Sequence, residues 1–150
     1  EIYTLSLHDA LPIFKHPRRD QIIVGLAGVF NNMLCALAFS VICGLYIRLI
    51  PVKFAVTKIS QIIWIILLRT VSINVSLMIF NLLPVPPLDG FGVLCGIFDL
   101  YNTKFYWYAR RYGMIILLVL LYLGATGIVL RPAVNAVMNL LTRLILAIGV

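Results

Sequence analysis

Residues 21–47 read QIIVGLAGVFNNMLCALAFSVICGLYI, 27 residues without one charged side chain. About 20 apolar residues cross a bilayer as a helix, so this stretch spans with length to spare. Other runs follow it. Ile59 to Leu88 is interrupted only by Arg69, and Tyr112 to Leu130 is free of charge for 19 residues. In the last stretch, Pro132 to Val150, Asn135, Asn139, Thr142 and Arg143 recur at helical spacing. That narrow polar stripe suits a helix packed on a bundle or lying in the interface as well as it suits a fourth span. The pattern predicts an all-α membrane protein: a polytopic transmembrane helical bundle of three spans plus a C-terminal membrane or interfacial helix. Of the 150 residues 63% are hydrophobic and 11% charged, with a mean hydropathy of +1.08. A soluble domain is about half apolar and a quarter charged, so composition agrees with the runs. It excludes disorder, collagen, a coiled coil and a secreted disulfide scaffold. The three cysteines, Cys35, Cys43 and Cys95, form no CxxC pair, and the two inside the first run read as inert packing thiols.

The net charge of +7 invites a nucleic-acid reading, which its distribution refuses. Basic residues fall in short clusters between apolar runs: Lys15, Arg18, Arg19; Arg48, Lys53, Lys58; Lys104, Arg110, Arg111. Lysines and arginines sit this way at lipid headgroups. The expected partner is the lipid bilayer, with no nucleic acid. With three spans the two sides carry six and five basic residues, which does not set the orientation. Phe98, Tyr101, Phe105, Tyr106, Trp107, Tyr108 and Tyr112 accompany the third cluster, and rings beside arginines read as an interfacial anchor.

Within the first run Gly28, Asn32, Ala36, Ser40 and Gly44 follow one another at four-residue spacing. They share one helical face, where small side chains admit a close neighbour. Tight packing accounts for Ala36, Ser40 and Gly44. The amides Asn31 and Asn32 need polar partners at that depth and read as functional or network-forming.

The start of the chain is out of character. Glu1 to Phe14, EIYTLSLHDALPIF, has no apolar period, holds two of the five acids and lacks the architecture of a signal peptide. It resembles a translated sequencing adapter, so residues 1–14 read as a non-native segment and 15–150 as the membrane domain. Removing Glu1 and Asp9 would raise the charge from +7 to +9.

The chemistry-bearing stretch is FNLLPVPPLDG, Phe80 to Gly90. Pro84, Pro86 and Pro87 remove N–H donors and push their predecessors out of helix, so the backbone here should be extended. Unwound backbone at membrane depth is tolerated where protein covers it or water reaches it. Asp89, the only acid between Asp20 and Asp99, lies at its end. An intramembrane carboxylate can ligate a metal, bind a cation or relay a proton. A plain interfacial loop with Asp89 in water accounts for the same residues.

FNLLPVPPLDG resembles the signature of the site-2 protease family of intramembrane zinc metalloproteases, in its compact bacterial and archaeal branch, whose pattern reads roughly FNLLPxPPLDG. RRDQIIVGLAGVFNN, Arg18 to Asn32, resembles the basic lead-in and AGPxxN block that heads the family's next span. The resemblance runs from about Lys15 to Val150. It implies hydrolysis of peptide bonds in or beside the bilayer, with a transmembrane protein or peptide as substrate, in a multi-pass protein of a prokaryotic cell membrane. It implies zinc held by the two histidines of an HExxH helix and by the aspartate of LDG, here Asp89, with the HExxH glutamate as general base on zinc-bound water. The family's asparagines match Asn32 and Asn81, implied to position substrate or shape the cleft. Pro84 and its neighbours keep the aspartate segment out of helix. HExxH puts both histidines on one helical face, and the third ligand must come from elsewhere.

The departures are as informative. The chain contains no HExxH; His8 lies in the adapter-like string and His16 in a basic loop beside Pro17. Val29 stands where AGPxxN has proline, and Gly92 where a basic residue is common after LDG. Since HExxH precedes the AGPxxN block in the family, the expectation is a truncated metalloprotease, inactive and without zinc as given. A pseudoprotease, or a transport or structural subunit using Asp89 without zinc, is the alternative. A rhomboid would need a GxS serine and a presenilin-like enzyme two membrane aspartates, and neither is present.

Overall fold

A computed structural model describes residues 17–150. The adapter-like segment 1–14, His8, Lys15 and His16 lie outside the described residues. Six α-helices and one 3-10 turn follow in order among them: α1 Pro17–Leu49, α2 Val52–Ala55, α3 Lys58–Asn81, α4 Asp89–Ile97, the 3-10 turn Leu100–Asn102, α5 Lys104–Tyr122 and α6 Ala125–Gly149. Three are long and apolar enough to cross a membrane, over Ile22–Leu49, Lys58–Asn81 and Ala125–Gly149. The chain is a multi-pass helical membrane protein.

The fold class expected from sequence holds, but one span does not fall where the charge-free run puts it. Residues 112–130 are divided between two helices: α5 ends at Tyr122, and Gly124 turns the chain with φ 69 before α6 begins. Glycine is suited there because a side chain strains the left-handed region. The charge-free part of α5, residues 112–122, is only about 16 Å of helix at 1.5 Å per residue. The C-terminal stretch instead joins residues 125–131 to form a full-length apolar helix. Its polar stripe lies outward, with Asn135, Asn139, Thr142 and Arg143 exposed. The second run also ends early as helix, at Asn81, and Leu82–Leu88 is non-helical, as the prolines require.

α1 and α3 form the first helix pair. Pro51 and the four-residue α2 carry the chain between them, and Thr57 caps α3 by accepting from the Ser60 amide at 3.2 Å. The Tyr46 hydroxyl meets Ser60 Oγ at 2.9 Å, and its ring stacks on Trp64 with centroids 6.2 Å apart. α6 closes the trio. Ala36, Cys43, Val71, Val75, Ile79, Leu141 and Ile145 form the core between them. Lipid is as apolar as leucine, so close fit rather than water exclusion holds such helices together. The small face of α1 supplies that fit: Ala36, Ser40 and Gly44 are buried, and a Cβ added at Gly44 would lie 2.6 Å from Ile148 Cβ. Ser40 satisfies its own hydroxyl by donating to the Ala36 carbonyl at 2.8 Å.

A second, smaller core packs α4 on α5 through Phe91, Cys95, Tyr106 and Ala109. This corrects part of the anchor reading. Phe98, Phe105, Trp107, Tyr108 and Tyr112 are exposed as expected of headgroup contacts, but Tyr106 is buried and Tyr101 half-buried.

Candidate functional site around Asp89

The segment Leu82–Leu88 delivers Asp89 to the first position of α4. A carboxylate in a helix's first turn complements the partial positive charge of the free amides there. What fixes its position is steric. A Cβ on Gly90 would collide with the Leu82 carbonyl oxygen and lie 2.7 Å from that of Leu83, so α4 starts hard against the backbone that precedes it. On the far side of the link, a Cβ at Gly113 of α5 would lie 2.5 Å from Pro86 Cβ. The proline segment is thus gripped between two glycine faces.

α1 provides the opposite wall. A Cβ at Gly28 would lie 3.3 Å from Asp89 Oδ2, and one at Gly25 3.4 Å from the Asp89 carbonyl oxygen. The glycines of α1 therefore admit the aspartate turn as a tight neighbour. Asn32 is one turn beyond Gly28 and half-buried. Asn81 is the last residue of α3, half-buried, and Pro84 is exposed in the link.

Two cavities adjoin here. One, of about 390 Å³, is lined by Asp89, Gly25, Pro87, Tyr101, Tyr106 and Arg110, among others. The other, of about 360 Å³, is apolar, lined by Pro84, Phe105, Tyr108 and Tyr112, and shares Pro86 and Phe91 with the first. Of the four residues singled out in sequence, Asp89 lines the first cavity and Pro84 the second, whereas Asn32 and Asn81 line neither. Gly25, Tyr101, Tyr106 and Arg110 were not singled out. The four-residue spacing of Tyr106 and Arg110 was the available signal, masked by the aromatic and basic crowd around it.

Zinc in a catalytic site takes three protein ligands and a water. No group of three His, Cys, Asp or Glu side chains able to hold a metal occurs among the described residues. Asp89 is one carboxylate, and by itself it does not fit a zinc ion.

Comparison with known proteins agrees with this part of the chain. The model for Peptidase family M50 matches residues 47–123, which contain the link and Asp89. The Bacillus subtilis (strain 168) protein named "Putative zinc metalloprotease YwhC" is 31% identical over 144 residues, 90% of this chain and 61% of that protein. The chain thus spans about three-fifths of the length of the relative it matches. No solved structure gives a significant match. With half of its residues under the family model and nearly all of them aligned to this relative, the chain belongs to peptidase family M50.

Proposed function

We propose that residues 15–150 are the aspartate-bearing part of a site-2-protease-like zinc metalloendopeptidase, which hydrolyses transmembrane proteins or peptides in or beside the bilayer. The paired histidines and the glutamate of an HExxH segment come, in this reading, from sequence outside the 150 residues, and the chain on its own is inactive. Asp89 is the metal ligand it contributes, and Asn32, Asn81 and Pro84 bind substrate or shape the cleft. The observation that carries the reading is the family match across the segment that places Asp89 beside a cavity. The absence of HExxH from the sequence and the greater length of the relative support the rest.

The test joins an in-frame upstream segment containing HExxH to residue 15 and measures zinc content and cleavage of a transmembrane peptide. The extended protein should bind one zinc and cleave, the 150-residue chain should do neither, and Asp89→Ala in the extended protein should abolish cleavage. If no such upstream frame exists, or if Asp89→Ala leaves cleavage intact, the reading fails. A zinc-independent transport role for Asp89 then takes its place.

A further inference from the structure

Arg110 is built into the Asp89 cavity through a relay of side chains. Its Nη1 donates to the Tyr106 hydroxyl at 2.9 Å. Tyr106 cannot swing away: it is buried, its ring stacks on Phe91 with centroids 6.1 Å apart and planes within 6°, and Tyr101 meets it edge-on at 5.2 Å. Tyr101 in turn donates to the Gly92 carbonyl at 3.0 Å, on the helix that begins with Asp89. Arg110 and Asp89 thus line the same cavity. A guanidinium has five N–H donors and cannot lose its charge, so most of them remain for another acceptor.

With Asp89 given to the metal in the peptidase reading, the spare donors of the Arg110 guanidinium suit a neutral acceptor. The peptide unit supplies one, its C=O facing the guanidinium. The adjoining cavity, behind Pro86 and Phe91, is walled by aromatic rings and prolines and accepts a large apolar side chain. We propose that Arg110 is a substrate-binding residue: it donates to main-chain carbonyl oxygens of an extended polypeptide lying across the Asp89 turn, whose neighbouring aromatic or large aliphatic side chain fills the apolar cavity. Tyr106 is the positioning residue that holds Arg110. The inference rests on the peptidase reading above.

The test uses fluorescence anisotropy of a labelled transmembrane peptide, with a Gly-Pro-interrupted centre flanked by Phe, binding the 150-residue chain in zwitterionic micelles. Arg110→Gln should weaken binding about tenfold, with Arg110→Lys between it and wild type and Tyr106→Phe about threefold weaker than wild type. Exchanging the peptide's Phe for Ala should weaken wild-type binding about tenfold. Equal affinity of wild type and Arg110→Gln, at unchanged helicity, overturns the proposal. So does displacement of the peptide by phosphatidylglycerol from wild type but not from Arg110→Gln, which would make Arg110 a lipid-phosphate site. In the extended, zinc-loaded protein Arg110→Gln should raise KM about tenfold with kcat within twofold, as expected when uniform binding is removed. A wild-type extended protein that cleaves nothing defeats the peptidase reading alone, since the anisotropy still decides Arg110.

Discussion

Gly90 follows Asp89 because the Leu82 and Leu83 carbonyls occupy the space a side chain would need. The demand is steric, since its φ is not positive. Overpacking of this kind costs about 1–3 kcal/mol, so Gly90→Ala should lower the midpoint of unfolding in detergent, followed by far-UV circular dichroism. It should also displace Asp89. Gly92, two positions on, meets nothing within 4 Å. Gly92→Ala should be neutral, or stabilising by up to about 1 kcal/mol through helix propensity. Equal effects at both positions would refute the packing account. Sequence puts Gly90 at the end of the LDG motif and Gly92 just beyond it, but gives no steric reason for the first, because only the fold puts a carbonyl over it. Cys95, in the same helix, is fully buried and burial pushes its thiol up. It should react with a maleimide far more slowly than half-buried Cys35, as mass spectrometry of labelled protein can show.

α3 carries a charge where a membrane helix can least accommodate one. Arg69 lies eleven residues after Lys58 and twelve before Asn81, about 16–18 Å from either end at 1.5 Å per residue. That exceeds the reach of an arginine side chain toward either headgroup layer. It is exposed, on the side of the helix opposite buried Val71, so it neither faces the bundle core nor pairs with Asp89. Arginine at a helix centre costs roughly 3 kcal/mol of insertion free energy where leucine is slightly favourable. Arg69→Leu should improve insertion of the α3 segment by about that amount in a glycosylation-mapping assay. An unchanged value would mean that Arg69 does not lie at mid-depth. α5 is the converse case. Its position in the third apolar run promised a span, yet its first half carries Lys104, Arg110 and Arg111, and it packs on α4 through Tyr106 and Ala109.

α1 touches both the bundle and the candidate site: its C-terminal half lies against α3 and α6, and its glycines at 25 and 28 lie against the Asp89 turn. One long helix therefore sets the distance between the bundle and the candidate site. Gly44→Val would drive a side chain into Ile148 and should cost about 1–3 kcal/mol, measured by unfolding in mixed micelles. Ala38→Val, on the exposed face of the same helix, should change stability by less than about 0.5 kcal/mol. If the two variants behave alike, the small-residue face is not the seam between α1 and α6.

Sequence by itself determined the solvent, the helical class, the unwound proline link and the family, because each rests on local chemistry. Charge-free length dictates where a chain can meet hydrocarbon, proline dictates where helix stops, and an eleven-residue motif is contiguous. Only tertiary structure decided which apolar runs became full-length membrane helices, since Gly124 and the charges of α5 compete with hydropathy and packing arbitrates. It alone brought Arg110, Tyr101 and Gly25 to the Asp89 cavity. These residues lie up to 64 positions from Asp89 along the chain, and neither hydrophobic period nor motif spacing encodes a meeting made by glycine clearances on one helix and ring stacking on another.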